Sequence, residues 1–233
     1  MKTPLLVEII GDTGVGKTHF ASLFPSPFMI DTTPKGEARS VFLKASKQNE
    51  INYTRARNWD EVKNCIKIGG TDNAVKTLII DDSTELQRLA TPAYLASLGK
   101  PRKQALQIEY GHIRDFVDVD VIFKVTAEPP TGYGKNLVCT SKLKDLYKTA
   151  LDSDGKQISW KEGKQRDGYA RLDYQSDLRF LMTIAEGSPP TRQIAVAKNR
   201  FLDKVNDSAI WKSVIKGTWE DVKSLCVGET LVE

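Results

Sequence analysis

The sequence predicts an α/β fold: a mostly parallel central sheet with helices on both faces and a C-terminal antiparallel hairpin. Three observations carry this expectation. Short apolar runs rich in β-branched residues alternate with stretches of helical period from residue 5 to residue 126. A glycine-rich turn joins the first run to the first helix. After a polar, lysine-rich middle, two apolar runs flank the turn sequence Gly187-Ser188-Pro189-Pro190.

Taken in order, residues 5–10 suit a buried parallel strand, and residues 17–23 a helix that Pro25 stops. Residues 28–30, ending at Asp31, form the next strand, followed by a loop over 32–36 and a strand over 51–56. Asn58 and Glu61 make a capping box for a helix with Trp59, Val62 and Ile66 on one face, ended by Gly69 and Gly70. Residues 75–80 are a strand, and 83–98 a helix whose buried stripe is Leu86, Leu89, Ala90 and Ala93. Helical period resumes over 104–117, and 119–126 reads as a strand.

Beyond Pro129 and Pro130, residues 131–175 read as a mobile basic loop region with a helix over 141–151 and a turn at Asp154-Gly155. The hairpin strands are 178–185 and 193–197. These elements make a core over 1–202. Residues 203–233 are a helical extension packed on it, with Trp211 and Trp219 as packing residues and Thr218 and Asp221 capping the last helix.

Composition is that of a globular protein: 40% hydrophobic and 27% charged residues. No run is long enough to cross a membrane, and the N-terminus runs straight into the first strand, so a cytoplasmic protein without a signal peptide is expected. Cys65, Cys139 and Cys226 lack metal-ligand spacing and read as reduced thiols. With only His19 and His112, a histidine metal centre is improbable. Net charge is +4, and the segment 131–166 alone holds eight basic against four acidic residues.

The chemistry concentrates in Gly11-Asp12-Thr13-Gly14-Val15-Gly16-Lys17-Thr18, a GxxxxGK[ST] phosphate loop set between a strand and a helix. Its glycines let successive N–H groups curl inward onto phosphate oxygens. Lys17 places a cation on the β and γ phosphates, Thr18 offers a hydroxyl to Mg²⁺, and the new helix adds its positive end. With His19 these residues are the candidate ATP-binding set. An acidic residue ending an adjacent strand should hold magnesium through water. TLIIDD (77–82) supplies Asp81, with Asp82 close behind as metal ligand or helix cap. Hydrolysis also needs a group to deprotonate water. Glu128, read at a strand tip, and Glu37 are the candidates. No guanine-reading element is evident, which favours ATP over GTP.

Taken together, the N-terminal phosphate loop, the strand ending Asp31-Thr32, the Asp81-Asp82 strand, the run ending Thr126-Ala127-Glu128 and the hairpin leading into VAKNRF (196–201) resemble the RecA-like ATPases, a branch of AAA-type NTPases. The closest resemblance is to the small, core-only RecA-like ATP-binding proteins of phages and archaeal viruses, implicated in single-strand DNA annealing and recombination. It spans residues 3–202.

The resemblance implies triphosphate binding at Gly11 to Thr18, magnesium at Asp81 and a γ-phosphate sensor at Glu128. It also implies a homo-oligomer in which Lys198 and Arg200 reach the neighbouring subunit's nucleotide. Thr33 stands where these proteins usually carry the catalytic glutamate, which leaves Glu37 and Glu128 open. The basic segment falls where the family's DNA-contacting loops lie, with Tyr133, Tyr147 and Trp160 among its lysines. The expectation is a Mg²⁺-dependent ATPase acting on single-stranded DNA in recombination, annealing or replication. The alternatives are a P-loop phosphotransferase on a small molecule and a regulatory or packaging ATPase with a protein partner.

Overall fold

A computed structural model describes residues 2–46, 52–98, 117–151, 156–167, 171–187, 191–201, 214–226 and 228–233. Strand β1 (Leu6–Gly11) leads through the glycine loop into α1 (Lys17–Ala21). Then come β2 (Pro27–Asp31), α2 (Arg39–Ser46), β3 (Tyr53–Arg55), α3 (Trp59–Thr71), β4 (Thr77–Asp81) and α4 (Ser83–Ser97). A π-helical segment (Asp118–Phe123) runs directly into a short α-helical turn (Lys124–Thr126), together α5. After β5 (Asn136–Leu151) and β6 (Gln157–Asp167) follow α6 (Leu172–Gln175), β7 (Leu178–Ala185), β8 (Thr191–Asn199), β9 (Val214–Ile215) and α7 (Trp219–Ser224).

The sheet order is β3-β2-β4-β5-β1-β7-β8-β9, with β6 paired only to β5. From β3 to β7 all pairings along this order are parallel, and β7-β8-β9 are antiparallel. Alternate residues of the central strands feed two cores, one on each face. Leu6, Ile30, Leu78, Ile80 and Leu137 meet α3, α4 and α5 on one side. Val7, Ile9, Met29, Ile79 and Phe180 meet α1, α2 and α7 on the other. Trp219 completes the second core against Phe24, ring centroids 5.3 Å apart, and Leu231 pairs back onto Thr3.

Two expectations are corrected. Residues 119–126 are helical, not a strand. Val117, Val121, Ile122 and Val125 are the buried apolar positions, a helical spacing that a short apolar run conceals. Conversely, residues 141–151 continue β5 as a strand. Its outer part and β6 form a two-stranded ribbon beyond the parallel sheet, where a loop region with a helix was expected. The half-buried Leu143 and Leu146 stand three apart, a spacing that mimics a helix, and the pairing register shifts between Leu146 and Tyr147. Gly69 and Gly70 stand in the last turn of α3, which ends at Thr71, and Phe28 and Tyr133 pack where their Cβ atoms would be. The expected helix over 104–117 falls almost wholly outside the described residues, as do Trp211 and the turn at Asp154-Gly155.

Candidate active site

The glycine loop leaves the sheet where β1, flanked by β5 and β7, ends at Gly11. A Cβ on Gly11 would stand 2.6 Å from the Met182 carbonyl oxygen of β7, so only glycine lets the strands approach. Gly16 has φ 101° as it turns the chain into α1. The Lys17 side chain folds back over the loop, its Nζ donating to the carbonyls of Gly11 and Asp12, both at 2.8 Å. Burial pushes the ammonium below the ordinary lysine value, against the pull of Asp81 and Asp82.

Asp81 ends β4, but β4 is not the neighbour of β1. Strand β5 lies between them, which corrects the expected adjacency. Thr140 of β5 spans the gap, its Oγ1 donating to Asp81 Oδ1 at 2.5 Å, while Thr18 Oγ1 donates to Oδ2 at 2.6 Å. Burial raises the Asp81 pKa, and the bonds from Thr140 and Thr18 pull it back only in part. Among the described residues no cation forms an ion pair with Asp81. A buried carboxylate without a counter-charge is costly. The Thr18 hydroxyl and the Asp81 carboxylate are the hard oxygen donors that Mg²⁺ prefers. Among the described residues no cluster of three or more His, Cys, Asp or Glu could hold a metal.

Asp82 differs. It is 2% exposed, its Oδ1 accepts from the Glu85 amide at 2.9 Å to cap α4, and its Oδ2 pairs with Lys142 Nζ at 2.9 Å. Lys142 already supplies its counter-charge, which Asp81 lacks among the described residues, so the metal role expected for Asp82 gives way to capping and ion pairing.

These groups face one cavity of about 330 Å³. Thr13, Gly14, Gly16, Lys17, Thr18 and His19 line its loop side; Thr33, Glu37, Ala38, Val41, Asp81, Asp82, Lys142 and Arg192 line the remainder. Three residues of the predicted set stand behind the lining. Gly11 ends β1, Val15 is buried in the core, and the Asp12 carboxylate turns to Lys164 Nζ at 2.5 Å. The loop that carries Glu37 is tied to Asp31, whose carboxylate accepts from the Thr33 amide and hydroxyl, the Ala38 amide and the Tyr53 hydroxyl. Burial, then the bond to Asp31, pushes the Tyr53 phenol up, so it stays a donor.

Glu128 is elsewhere. It follows helical α5 and lines a second cavity with Pro4, Lys76 and Lys135, residues that precede β1, β4 and β5. That is the edge where the parallel strands begin, about 20 Å from the glycine loop along a six-residue strand. The expected catalytic and sensor roles for Glu128 fall with the misread strand. Lys198 and Arg200 lie at the same far edge, since β8 runs antiparallel and pairs Lys198 with Arg179. Lys198 Nζ donates to the carbonyls of Asp173 and Tyr174. Arg200 pairs with Asp177 at 2.8 Å.

Three site residues escaped the sequence reading: Thr140, Lys142 and Arg192. The signal for the first two was present in Leu137-Val138-Cys139, a buried-strand run overlooked inside a lysine-rich segment. Thr140 and Lys142 follow on the same side of β5 by period-two alternation. Burial works against the Lys142 charge, but its bond and attraction to Asp82 prevail and hold its pKa above the ordinary value. Arg192 had no local signal; only hairpin pairing places it.

The basic segment is also largely engaged. Lys144, Lys148, Lys161, Lys164 and Arg166 pair with Asp167, Glu162, Asp145, Asp12 and Glu8 respectively. Buried Glu8 accepts from Arg166, Arg179 and Ser141, which pins the base of the ribbon to β1. Tyr133 packs on the helical core under Lys124, apart from the ribbon on which Tyr147 is 61% exposed.

Residues 3–201 match the model of a family described as AAA domain. No curated protein matches. Among solved structures, the flagellar accessory protein FlaH from Methanocaldococcus jannaschii matches with a TM-score of 0.43 and 11% identity, over 84% of this chain and 80% of that one. No helix among the described residues is long and apolar enough to cross a membrane.

Proposed function

We propose, from the premise that the chain belongs to the AAA domain family of P-loop ATPases, that it binds ATP with Mg²⁺ in the glycine-loop cavity and hydrolyses it. The observation that supports this most is the convergence of Lys17, Thr18 and Asp81 on one cavity, the loop from one stretch of chain and the carboxylate from another. In the reaction the oxygen of water bonds to the γ phosphorus, and the bond to the β–γ bridging oxygen breaks with its electron pair staying on ADP. Glu37, on the cavity wall, accepts the proton of the water. Lys17 binds the β and γ phosphates. Thr18 and Asp81 hold magnesium, which when bound neutralises charge on the phosphate oxygens. Steady-state phosphate release with Mg²⁺ and ATP tests this. Lys17→Ala should reduce it by about a hundredfold or more; equal rates in the two proteins would refute the assignment.

We further propose that single-stranded DNA lies along the ribbon of β5 and β6. In support, Tyr147 stands exposed beside Lys148 and Lys161, whose ion pairs to Glu162 and Asp145 are themselves exposed. Exposed pairs are worth about 1 kcal/mol or less, so DNA phosphates can replace them while Tyr147 stacks on a base. Affinity should fall steeply with salt through counterion release. Lys161→Glu with Lys164→Glu should weaken it further; binding indifferent to both would remove DNA from the ribbon.

A further inference from the structure

Resting on the ATPase reading, we infer that Arg192 is a catalytic residue that acts within its own chain. It places a guanidinium on the terminal phosphates of a nucleoside triphosphate. The pairing of strands puts it there. In the register of β1 and β7, Gly11 lies opposite Met182, and in the hairpin Ile184 lies opposite Arg192. Arg192 therefore stands two residues beyond the end of β1, over the glycine loop. A Cβ built on Gly16 would fall 3.2 Å from Arg192 Nε, 3.3 Å from Cζ and 3.4 Å from Cδ. The side chain thus lies against the loop backbone immediately before Lys17 and lines the cavity that holds Thr18 and Asp81.

The lysines of the cavity and of the adjoining ribbon already have partners. Lys142 pairs with Asp82, Lys164 pairs with Asp12, and Lys17 donates to two carbonyls. Among the described residues Arg192 pairs with no carboxylate, so its charge is directed at the cavity without an anion of the chain's own. Lys198 and Arg200, at the far end of the same strand, are bound to backbone carbonyls and to Asp177. Six residues of strand, about 20 Å, separate Lys198 from Arg192. Guanidinium chemistry suits this position, because a planar fork can hold two phosphate oxygens and never loses its charge. Charge accumulates on the γ-phosphoryl oxygens and the departing bridging oxygen as the bond breaks, and a cation there speeds hydrolysis.

The test measures phosphate release, binding of a fluorescent non-hydrolysable ATP analogue, and melting temperature for wild type, Arg192→Ala and Lys17→Ala. Arg192→Ala should lose about a hundredfold in kcat, weaken analogue binding by about tenfold, and melt as wild type does. Mixing Arg192→Ala with excess Lys17→Ala should restore nothing, because each site needs its own arginine. Recovery on mixing would overturn the inference by showing that the arginine crosses an interface. Unchanged kcat and analogue affinity in Arg192→Ala would overturn it by leaving Arg192 a bystander. If wild type binds the analogue without hydrolysing it, the hydrolytic reading fails while the affinity loss still decides for or against Arg192. If wild type binds no analogue, both readings fall.

Discussion

Where the parallel strands end, a cavity of about 330 Å³ gathers Lys17, Lys142 and Arg192; where they begin, one of about 350 Å³ gathers Lys2, Lys76 and Lys135. Size and cation count are alike, and the chemistry is not. At the far edge Lys135 is buried, donates to the carbonyls of Asp72 and Val75, and is pushed below the ordinary lysine value by that burial. Lys76 donates to the Asn73 carbonyl. These ammoniums close loops. At the glycine-loop edge the cations face Asp81, a carboxylate that accepts bonds from two hydroxyls and pairs with no cation among the described residues. A curled backbone with room for an anion adjoins it. The lesson is that basic residues around a cavity do not make a phosphate site. What sets the glycine-loop edge apart is the curled loop itself, beside a buried acid that no described cation pairs with.

The largest effect expected from breaking this contrast is at Asp81. Asp81→Asn should lower Mg²⁺-dependent hydrolysis by about a hundredfold or more and yet raise the melting temperature measured without nucleotide. The sign follows from linkage. Burial raises the folded pKa of Asp81, so its contribution to stability is present below the ordinary value of 3.8 and is lost as pH rises through the folded value. Asparagine removes that loss at neutral pH. Thermal melts from pH 4 to 8 should show a flatter dependence in the variant. A variant less stable than wild type at pH 7 would show that the charge is already compensated.

Next in size is the pair of glutamates that the sequence could not separate. Glu37→Gln should cost about a hundredfold in kcat as a lost general base, with analogue affinity kept. Glu128→Gln, at the far edge, should stay within about twofold, as a surface substitution away from the site does. The reverse pattern in phosphate release would reassign the catalytic edge.

Why one glutamate was legible and the other misleading comes down to period and context. Strands β1, β2 and β4 were readable because each is a short run buried on both faces and punctuated by glycine, proline or aspartate. Both helix caps were readable because the cap and its partner lie three residues apart: Asn58 accepts from the Glu61 amide, and Thr218 from that of Asp221. Val119 to Thr126 was not, since an apolar run of that length fits either period until its neighbours are known. Placing a strand there put Glu128 at the wrong edge. It also hid the true central strand, β5, and with it Thr140 and Lys142. Arg192 depends on hairpin register, which no local pattern specifies when five residues of chain separate β7 from β8.

The smallest effect sharpens the comparison most. Lys198 and Arg200 belong to the far edge, where their charges are spent on Asp177 and on carbonyls within α6. Burial pushes the Lys198 ammonium below the ordinary lysine value, reinforced by the nearby charge of Arg200. If these residues only fasten β8 to the start of β7, Lys198→Ala with Arg200→Ala should cost about 1 kcal/mol, the scale of partly exposed pairs. Hydrolysis per chain should then be unchanged at every protein concentration. The competing expectation is a homo-oligomer in which the two residues reach a neighbour's nucleotide. It predicts a folded double variant whose rate has collapsed, and a wild type whose specific activity climbs with concentration. Measuring both against dilution separates an edge that merely closes the fold from one that completes a second copy's site.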